Sequence, residues 1–300
     1  MSNMAVKAIV MDIDPFSTHE GPGIRRAIFL KGCPISCKWC HSPESQSTAY
    51  ELLYQSNRCA LCLECISTCV NSAISNGKEE LNIDREKCKK CFNCVSLCPS
   101  QALSKCGKEY TVEEILSSIK QDLPFYRNSG GGITVTGGEP LMQADFTYHL
   151  IKGARELGVS AILQTSGYGK WEDLEQIARQ CRNIFYDIKI LDEEEHKKWT
   201  GFSNKIILEN LEKLCKQERE KIIIRLPCIP DINDSHKHIR DICLYVKSLG
   251  INSLELLPYN IMAKEKYSYI GRDFDLIDTM PKDTNYYKEL NTILKEELCL

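Results

Sequence analysis

The stretch IFLKGCPISCKWCHSP, Ile28 to Pro43, places a short β-type run directly before a loop with three cysteines in the spacing CxxxCxxC. The thiols of this loop belong to Cys33, Cys37 and Cys40. Structural zinc sites and ordinary iron–sulfur centres take four protein ligands. A loop with three ligands therefore takes a fourth from another segment or leaves one metal position open. The rest of the chain decides between these two arrangements.

Outside this loop, β-rich runs alternate with amphipathic helical patterns. Strand character is found in six runs: Ile28–Lys31, Gly132–Thr136, Ser160–Thr165, Ile184–Ile190, Lys221–Leu226 and Ser253–Leu257. Helical periodicity covers Thr111–Gln121, Asp145–Leu157, Trp171–Cys181, Asn204–Lys216 and His236–Leu249. Strand followed by helix, repeated, predicts an α/β fold with a parallel sheet. Six strands favour a partial (β/α)6 TIM-like barrel over a doubly wound sheet.

Polar or glycine-bearing motifs follow the strand runs. They are GC at 32–33, GGEP at 137–140, TSG at 165–167, DIK at 187–189 and LPYN at 257–260. Active sites of parallel barrels are built from the loops at the carboxyl ends of the strands. We therefore predict that these motifs and CxxxCxxC meet at one mouth of the barrel.

Composition and charge exclude some classes of function. The 300 residues carry 38 Lys and Arg against 41 Asp and Glu, a formal net charge of -3, without the basic excess typical of nucleic-acid binding. No apolar run approaches the ~20 residues needed to cross a bilayer. Lys7 and Asp12 interrupt the apolar run near the N-terminus, which disfavours a signal peptide. We expect a cytoplasmic protein that binds neither nucleic acid nor a membrane.

The 17 cysteines are informative in that setting, because a reducing compartment favours metal ligation or redox chemistry over disulfides. Eleven fall into three groups: Cys33, Cys37 and Cys40; Cys59, Cys62, Cys65 and Cys69; and Cys88, Cys91, Cys94 and Cys98. The other six are scattered and are interpreted as small hydrophobic residues: Cys106, Cys181, Cys215, Cys228, Cys243 and Cys299.

Two segments repeat cysteine for cysteine. They are RCALCLECISTCVNSAI, Arg58 to Ile74, and KCKKCFNCVSLCPSQAL, Lys87 to Leu103, each with the spacing CxxCxxCxxxC. In bacterial ferredoxins with this spacing, the fourth cysteine ligates the other cluster. The pattern predicts one [4Fe-4S] cluster on Cys59, Cys62, Cys65 and Cys98, and a second on Cys88, Cys91, Cys94 and Cys69.

A pair of zinc knuckles is the alternative interpretation of the repeat, and the doubled spacing disfavours it, because zinc motifs usually pair two CxxC hairpins across a longer spacer. Asn76-Gly77 between the two copies predicts a hairpin turn. We expect an inserted bacterial-ferredoxin-like 2[4Fe-4S] domain over residues 55–106, and a barrel formed by residues 1–54 and 107–300.

The eight repeat cysteines satisfy each other, so the CxxxCxxC loop would leave one iron of a [4Fe-4S] cluster without a protein ligand. This loop after the first strand run, followed by GGEP after the second, resembles the radical S-adenosylmethionine enzymes. In that family the methionyl amino and carboxylate groups chelate the open iron. An electron from the cluster then breaks the sulfonium bond and gives methionine and a 5'-deoxyadenosyl radical.

Further motifs narrow the resemblance. FSTHEGPGIR, Phe16 to Arg25, together with DIK, HKKWTG from His196 to Gly201, IRLPCIPDIND and LPYN, resembles the glycyl-radical enzyme activating enzymes. A two-cluster insert directly after CxxxCxxC is the layout of their longer members. The resemblance implies abstraction of a hydrogen from a glycine α-carbon in a partner glycyl radical enzyme. It also implies S-adenosylmethionine and three [4Fe-4S] clusters as cofactors, and flavodoxin or ferredoxin as the electron donor.

The resemblance also assigns residues to roles. The catalytic group comprises Cys33, Cys37, Cys40 and Lys189. Contacts with S-adenosylmethionine are implied for Trp39, His41, Gly137, Gly138, Glu139, Asp187, Ile188, Lys189, Arg225 and Asn260. Lys189 would reach the methionyl carboxylate, and Glu139 with nearby carbonyls would receive the ammonium. The partner's glycine loop would enter beside Gly21, Pro22, Gly23 and Arg25.

Three positions depart from the family pattern. Glu20 replaces the usual aspartate, and Asn260 replaces a histidine found in many members. Gln164 stands where relatives commonly carry an acidic residue, so a monovalent cation site built there and on Asp187 would lose charge. Bound sodium or potassium is therefore not among our predictions.

Two other functions stay open. A radical S-adenosylmethionine peptide maturase typically places its extra cysteines after the barrel, where this chain has only Cys299. A two-cluster electron carrier on a passive barrel scaffold would explain the eight repeat cysteines but neither CxxxCxxC nor GGEP. Binding of S-adenosylmethionine would separate the electron carrier from the enzyme.

Overall fold

The structure is a computed structural model that describes residues 5–276 and 278–298, so Cys299 lies outside the described residues. The described residues form strands β1 (Lys7–Ser17), β2 (Arg25–Leu30), β3 (Glu51–Tyr54), β4 (Ile74–Asn76), β5 (Leu81–Ile83), β6 (Leu103–Cys106), β7 (Lys108–Thr111), β8 (Gly132–Gly137), β9 (Ser160–Thr165), β10 (Asn183–Asp187), β11 (Ile222–Cys228) and β12 (Leu254–Pro258). The α-helices are α1 (Glu64–Thr68), α2 (Asn93–Ser96), α3 (Val112–Gln121), α4 (Leu123–Ser129), α5 (Ala144–Glu156), α6 (Trp171–Ala178), α7 (Glu193–Thr200), α8 (Lys205–Glu218), α9 (His236–Ser248), α10 (Ala263–Tyr269) and α11 (Thr284–Leu298).

Eight strands form one sheet in the order β12-β11-β10-β9-β8-β2-β1-β7. Neighbours from β2 to β12 are parallel, and they correspond to the six predicted strand runs. At the other end of the sheet, β1 pairs antiparallel with both β2 and β7. Helices connect consecutive parallel strands, as crossover connections require. The fold is therefore α/β with a mostly parallel sheet, as predicted, and this order is consistent with a partial barrel.

The helices of the barrel follow their sequence signals. In α9, the side chain of Ser235 accepts a hydrogen bond from an amide of the first turn. Ile239, Ile242, Cys243 and Val246 then recur at helical spacing and are buried against the sheet side of the core. Burying one such aliphatic side chain stabilises the fold by about 1.5–3 kcal/mol, which explains why the helix forms here. Among the helices that the structure describes, none has the length and apolar character required to span a bilayer.

Strand register brings the predicted motifs to one edge of the sheet. Leu30 at the end of β2 is level with Gly137 at the end of β8. Likewise, Tyr186 of β10 is level with Thr165 of β9, and Asp187 with Arg225 of β11. Parallel strands share a carboxyl edge, so the cysteine loop (residues 32–41), GGEP, TSG and DIK all begin at that edge.

A second hydrophobic cluster lies apart from the barrel core. It contains Leu52, Tyr54, Cys65, Ile74, Leu81, Cys94, Ala102 and Leu103. Two small antiparallel sheets accompany it, β3 with β6 and β4 with β5. The β4–β5 hairpin contains the predicted turn, closed by a hydrogen bond from the Gly77 amide to the Glu80 carbonyl. Leu52 and Tyr54 of β3 belong to this cluster, although they precede the predicted domain boundary at residue 55.

The two cysteine repeats share one backbone conformation. Left-handed φ angles occur in the first copy at Leu61, Leu63 and Ser72, and in the second at Lys90, Phe92 and Gln101. These positions are equivalent relative to the cysteines of each copy. Residues with side chains adopt positive φ in only a few per cent of cases. Their recurrence at equivalent positions indicates that the sequence repeat is also a structural repeat.

Candidate active site

A cavity of about 440 Å³, here called the main cavity, opens at the carboxyl edge of the parallel strands. Predicted site residues in its wall are Cys33, Cys37, Trp39, Cys40, His41, Gly137, Gly138, Glu139, Asp187, Lys189 and Asn260. Small-molecule sites commonly enclose about 300–1,000 Å³. Side chains that are distant in sequence are thus gathered around a space that suits one small molecule.

The cysteine loop is seated on the carboxyl end of α7. The amides of Ser36 and Lys38 donate to the carbonyls of Thr200 and Trp199, at 2.9 and 3.0 Å. The last carbonyls of a helix have no partner within the helix, so they are free to accept these bonds. Trp39 also packs near Trp199, with ring centroids 6.5 Å apart. The HKKWTG motif therefore supports the segment that carries the three thiols.

The three thiols of this loop are shielded from solvent. Burial raises the pKa of Cys37 to about 12, although Lys189 acts in the opposite direction. Burial also raises the pKa of Cys33 and of Cys40. Without a metal, these groups are therefore neutral thiols at pH 7. Bound metal would supply the positive charge that stabilises buried thiolates.

Gly137 and Gly138 bring strand β8 against the cysteine loop. Gly137 has a φ of +111°, and a Cβ there would overlap the backbone of Leu30. A Cβ on Gly138 would overlap the carbonyl oxygen of Gly32. The next amide, that of Glu139, donates to the same Gly32 carbonyl at 2.7 Å. The glycines are thus required by backbone-to-backbone packing, whereas the sequence led us to expect close approach to a ligand.

Glu139 is hydrogen-bonded to groups of the protein itself. Its carboxylate is 1% exposed and accepts hydrogen bonds from Thr165 Oγ1, the Leu141 amide and both the amide and the hydroxyl of Ser166. A carboxylate offers about four lone-pair positions, and these donors occupy them. Burial nevertheless raises the pKa of Glu139. Glu139 therefore ties GGEP to the loop after β9, and its predicted contact with an ammonium stays a prediction.

Asp187 and Lys189 form an ion pair in the cavity wall. Lys189 Nζ lies 3.3 Å from Asp187 Oδ2. Burial lowers the pKa of Lys189, but Asp187 and the nearby Cys37 and Cys33 outweigh it, so the pKa lies above its ordinary value. The other carboxylate oxygen, Asp187 Oδ1, is buried and accepts no hydrogen bond from the described residues. The same holds for the hydroxyl of Tyr259, another wall residue.

Buried polar atoms without partners are uncommon in folded proteins. Asp187 Oδ1 and the Tyr259 hydroxyl both belong to side chains that face the main cavity. Lys189 adds a protonated amine to the same wall. The main cavity therefore suits a ligand that carries both positive and negative groups.

Arg225 and Ile188 lie beside the main cavity rather than in its wall. Arg225 donates to Glu255 at 3.0 Å and to Gln164 at 3.2 Å, and its guanidinium stacks on Phe185. Ile188 is buried and its amide donates to the Arg225 carbonyl. Their predicted contacts with a cofactor stay predictions.

Asn260 and His41 lie in the wall of the main cavity and are both exposed. The side-chain oxygen of Asn260 accepts a hydrogen bond from the Met262 amide, just before α10 begins. This local turn leaves the side-chain amide nitrogen of Asn260 for other partners.

The Gly21–Arg25 segment leads into β2, which begins at Arg25, and the residue before the segment, Glu20, lies in the wall of the main cavity. Pro22 is exposed, but Arg25 is 0% exposed. The Arg25 guanidinium donates to Thr134 Oγ1 and to the carbonyls of Pro22, Ile133 and Ser160. Arg25 therefore fixes the loop to the sheet, and its predicted contact with a partner stays a prediction.

Two smaller cavities lie in the repeat unit. The first repeat cavity is lined by Cys59, Cys62, Cys65 and Cys98, and the second by Cys69, Cys88, Cys91 and Cys94. Each set combines three cysteines of one copy with the fourth cysteine of the other. Within residues 5–276 and 278–298, no three His, Cys, Asp or Glu side chains are close enough to ligate a single metal ion.

Several wall residues of the main cavity were missed by sequence reasoning. They include Phe29, Ile35, Ser42, Ser45, Thr136, Ser166 and Tyr259. Ser166 and Tyr259 lie in the TSG and LPYN motifs, which gave a usable signal because both follow predicted strands. The others reach the cavity through the path of the cysteine loop and the twist of β2 and β8, which no local pattern encodes.

The sequence of this chain is similar to those of several known proteins. The family model described as "Radical SAM superfamily" matches residues 27–243. The isethionate sulfite-lyase activating enzyme of Nitratidesulfovibrio vulgaris is 41% identical over 271 residues, covering 88% of each chain. The trans-4-hydroxy-L-proline dehydratase activating enzyme of Clostridioides difficile is 40% identical over 271 residues, covering 89% of each.

A relative of lower sequence identity aligns with more of this chain. The 4-hydroxyphenylacetate decarboxylase activating enzyme of Clostridioides difficile is 34% identical over 299 residues, covering 97% of this chain and 94% of the relative. Among solved structures, a domain of a pyruvate-formate lyase-activating enzyme from Bacteroides vulgatus ATCC 8482 matches 56% of this chain and 95% of that chain. Its sequence identity is 23% and the TM-score is 0.47.

Proposed function

Because this chain belongs to the radical SAM superfamily and, within it, to the glycyl-radical enzyme activating enzymes, we propose that its main cavity binds S-adenosylmethionine beside a [4Fe-4S] cluster held by Cys33, Cys37 and Cys40. When bound, that cluster supplies the electron that cleaves S-adenosylmethionine, and the resulting 5'-deoxyadenosyl radical takes a hydrogen from a glycine of the partner. One observation carries the proposal: three thiols and the Asp187–Lys189 pair share one cavity wall.

The polar groups of the main cavity match the methionyl part of S-adenosylmethionine, which carries an ammonium and a carboxylate. Lys189 would donate to the carboxylate, as the resemblance predicted. Asp187 Oδ1, buried and without a partner among the described residues, offers an acceptor for the ammonium. The Tyr259 hydroxyl offers a donor on the same wall. The buried Trp39 and the exposed His41 would face the adenine.

The protein itself positions the groups that would hold the cluster and S-adenosylmethionine. Asp187 holds the Lys189 ammonium in place at 3.3 Å, so little reorganisation is needed when the ligand binds. The α7 carbonyls fix the backbone between the cluster ligands. Arg25 bonds the Pro22 carbonyl of the Gly21–Gly23 loop and also Thr134 and Ser160, and Glu20 before this loop lies in the wall of the main cavity. We propose that this loop contacts the partner's glycine segment, with Arg25 as its positioning residue.

We propose that the repeat unit holds two further [4Fe-4S] clusters with exchanged fourth ligands. The support is the composition of the two repeat cavities, which contain the predicted sets of cysteines. Cys62 and Cys91, one in each cavity, are exposed. Each cluster would therefore have an edge towards solvent, where flavodoxin or ferredoxin could deliver an electron. We propose that the unit comprises β3 to β6 and relays electrons towards the main cavity.

The partner is proposed to be a glycyl radical enzyme. Relatives at 34–41% identity are named as activators of a sulfite-lyase, a dehydratase and a decarboxylase. This range of partner reactions agrees with a shared activation step, since substrate specificity would reside in the activated enzyme. Thiolate-bound clusters also agree with the predicted cytoplasmic location.

Formation of 5'-deoxyadenosine tests the function. The anaerobically reconstituted protein is incubated with dithionite and S-adenosylmethionine, and the products are separated by chromatography. We expect 5'-deoxyadenosine and methionine from the wild type and neither from Cys37→Ala. The matched control is Cys243→Ala, since Cys243 is buried in α9 and lines none of the three cavities. An inactive wild type that retains iron would overturn the proposal in favour of an electron carrier.

A further inference from the structure

Gln46 contacts the cysteine loop from outside the CxxxCxxC motif. Its carbonyl accepts a hydrogen bond from the Cys33 amide at 3.0 Å, so its backbone is fixed to the start of the loop. Its side-chain oxygen, Oε1, accepts a hydrogen bond from Arg272 Nη1 at 2.7 Å. Its side-chain nitrogen, Nε2, is buried and makes no hydrogen bond with the described residues. In the side-chain amide of Gln46, the oxygen is thus hydrogen-bonded and the nitrogen has no partner among the described residues.

Arg272 determines which way the Gln46 amide points. A guanidinium only donates hydrogen bonds, so the atom that faces it must be the carbonyl oxygen of the amide. The NH2 group therefore points away from Arg272, and there it is buried without an acceptor among the described residues. Because the Gln46 carbonyl is bonded to the Cys33 amide, this unpaired donor belongs to a residue in direct contact with the cysteine loop.

Arg272 is itself anchored to α10, a second helix that contacts the cysteine loop. Its amide donates to the Tyr267 carbonyl at 3.0 Å, and its guanidinium lies 5.5 Å from the Tyr267 ring centroid. The Tyr267 hydroxyl lies 3.5 Å from the carbonyls of Cys37 and Lys38. The end of α10 therefore connects the loop to the group that orients Gln46.

A buried, unpaired donor on a residue that contacts the cysteine loop has a chemical consequence. Hydrogen bonds to the sulfur atoms of an iron–sulfur cluster are among the factors that set its potential. A donor stabilises the reduced form more than the oxidised form, because the reduced cluster carries more negative charge. Groups outside the ligand set commonly tune metal centres in this way.

We propose that Gln46 is a positioning residue that donates a hydrogen bond to a sulfur of the Cys33–Cys37–Cys40 cluster and raises its reduction potential, with Arg272 fixing the direction of the amide. This role rests on the proposed function, because it requires that the cluster is bound in the main cavity. It adds a residue that lies outside every motif from which the site was predicted.

The test is a potentiometric titration of the reconstituted protein, followed by electron paramagnetic resonance. The signal that changes when S-adenosylmethionine is added belongs to this cluster, because only its open iron can bind that ligand. In Gln46→Leu we expect reduction to become about tenfold less favourable, a fall of about 59 mV for one electron. Gln46→Glu keeps an acceptor for Arg272 but lacks the donor and adds negative charge, so its fall should be at least as large.

Arg272 variants and a surface control separate orientation from folding. Arg272→Met should lower the potential in the same direction as Gln46→Leu, and Arg272→Lys, which keeps a donor, should stay close to the wild type. Gln176→Leu is the control, because Gln176 lies on the exposed face of α6. Unchanged potentials in both Gln46→Leu and Gln46→Glu would overturn the role of Gln46 alone. A wild type in which S-adenosylmethionine alters no signal would overturn the proposed function instead.

Discussion

The main cavity and the two repeat cavities are all lined by cysteines, but they differ in what else faces them. The main cavity combines three cysteines with an ion pair and unpaired polar atoms, around about 440 Å³. The first repeat cavity combines four cysteines with apolar neighbours such as Leu63, Leu81 and Leu97. A three-thiol site with polar walls has room for a substrate, whereas a four-thiol site with apolar walls does not. Under the proposed function, similar ligands would serve catalysis in one region and electron transfer in the other.

The largest effect is expected from a steric clash that affects the main cavity and leaves the repeat unit unchanged. In Gly138→Ala, the new Cβ would overlap the Gly32 carbonyl, a backbone atom that cannot rotate away. We expect loss of 5'-deoxyadenosine formation and of about four of twelve irons, while the repeat unit keeps its own. Iron analysis and product chromatography measure both. Gly158→Ala is the control for backbone strain, because its φ of +74° disfavours alanine but its Cβ would meet no neighbouring atom, so iron content and activity should be retained. Full activity in Gly138→Ala would contradict the packing described here.

The next effect concerns the polar wall that only the main cavity has. Lys189→Met removes a protonated amine and leaves Asp187 buried without its partner. A hydrogen bond to a charged group is worth about 1.5–3 kcal/mol, so the affinity for S-adenosylmethionine should fall roughly 10- to 100-fold. Anaerobic equilibrium dialysis measures this affinity. Lys197→Met, on the exposed face of α7, should bind normally. An unchanged affinity in Lys189→Met would exclude Lys189 from the ligand site.

A smaller effect tests the exchanged cysteines of the repeat unit. If Cys98 completes the first repeat cavity, Cys98→Ala should alter the same resonance signal as Cys62→Ala, and Cys69→Ala the same one as Cys91→Ala. With flavodoxin as the donor, we expect roughly tenfold slower formation of 5'-deoxyadenosine, the effect of an offset of about 59 mV.

With dithionite in place of flavodoxin, and in binding assays with S-adenosylmethionine, these variants should resemble the wild type. Grouping of Cys98→Ala with Cys91→Ala would contradict the exchange of ligands. Wild-type rates with flavodoxin in all four variants would contradict the relay and favour a structural or docking role for the repeat unit.

The smallest effect is expected at Arg25, which supports the Gly21–Gly23 loop. It is an effect on stability rather than on the reaction. Arg25→Met leaves the carbonyls of Ile133 and Ser160 without their side-chain donor. We expect the free energy of unfolding to fall by about 1–3 kcal/mol, because buried acceptors lose their partners. Denaturant titration measures this change, and the exposed Arg127→Met serves as the control. A decrease below about 0.5 kcal/mol, typical of surface changes, would contradict the clamping role.

Much of the fold could be predicted because its signals are local. The six parallel strands and their helices follow from periodicity, and the shared carboxyl edge follows from their parallel direction. The antiparallel strands β1 and β7 were missed. Polar residues such as Lys7 and Asp12 interrupt β1, and β7 is only four residues long. Helix α7 was missed because its segment EEEHKKWT has almost no apolar stripe.

The site was predictable where a motif carries its own chemistry. The spacing of the cysteines identified their groups, and DIK identified the pair of Asp187 and Lys189. The hydrogen bonds of Arg25 and Glu139 were not predicted, because their partners come from other strands or from the loops that follow them. The residues next to Arg25 in the sequence do not indicate that it bonds to carbonyls of β8 and β9. Likewise, Glu139 and Ser166 are 27 residues apart and come into contact only in the folded chain. Long-range hydrogen bonding decides such roles, and a single sequence does not encode it locally.

The most direct test of the difference between the two regions is an iron and sulfide count on the anaerobically reconstituted wild type, with resonance spectra recorded before and after addition of S-adenosylmethionine. Three four-iron centres predict about twelve irons per chain and one signal that shifts with the ligand, from the cluster whose iron is open. About eight irons, with no signal that responds to S-adenosylmethionine, would mean that the three cysteines of the main cavity do not hold an open cluster.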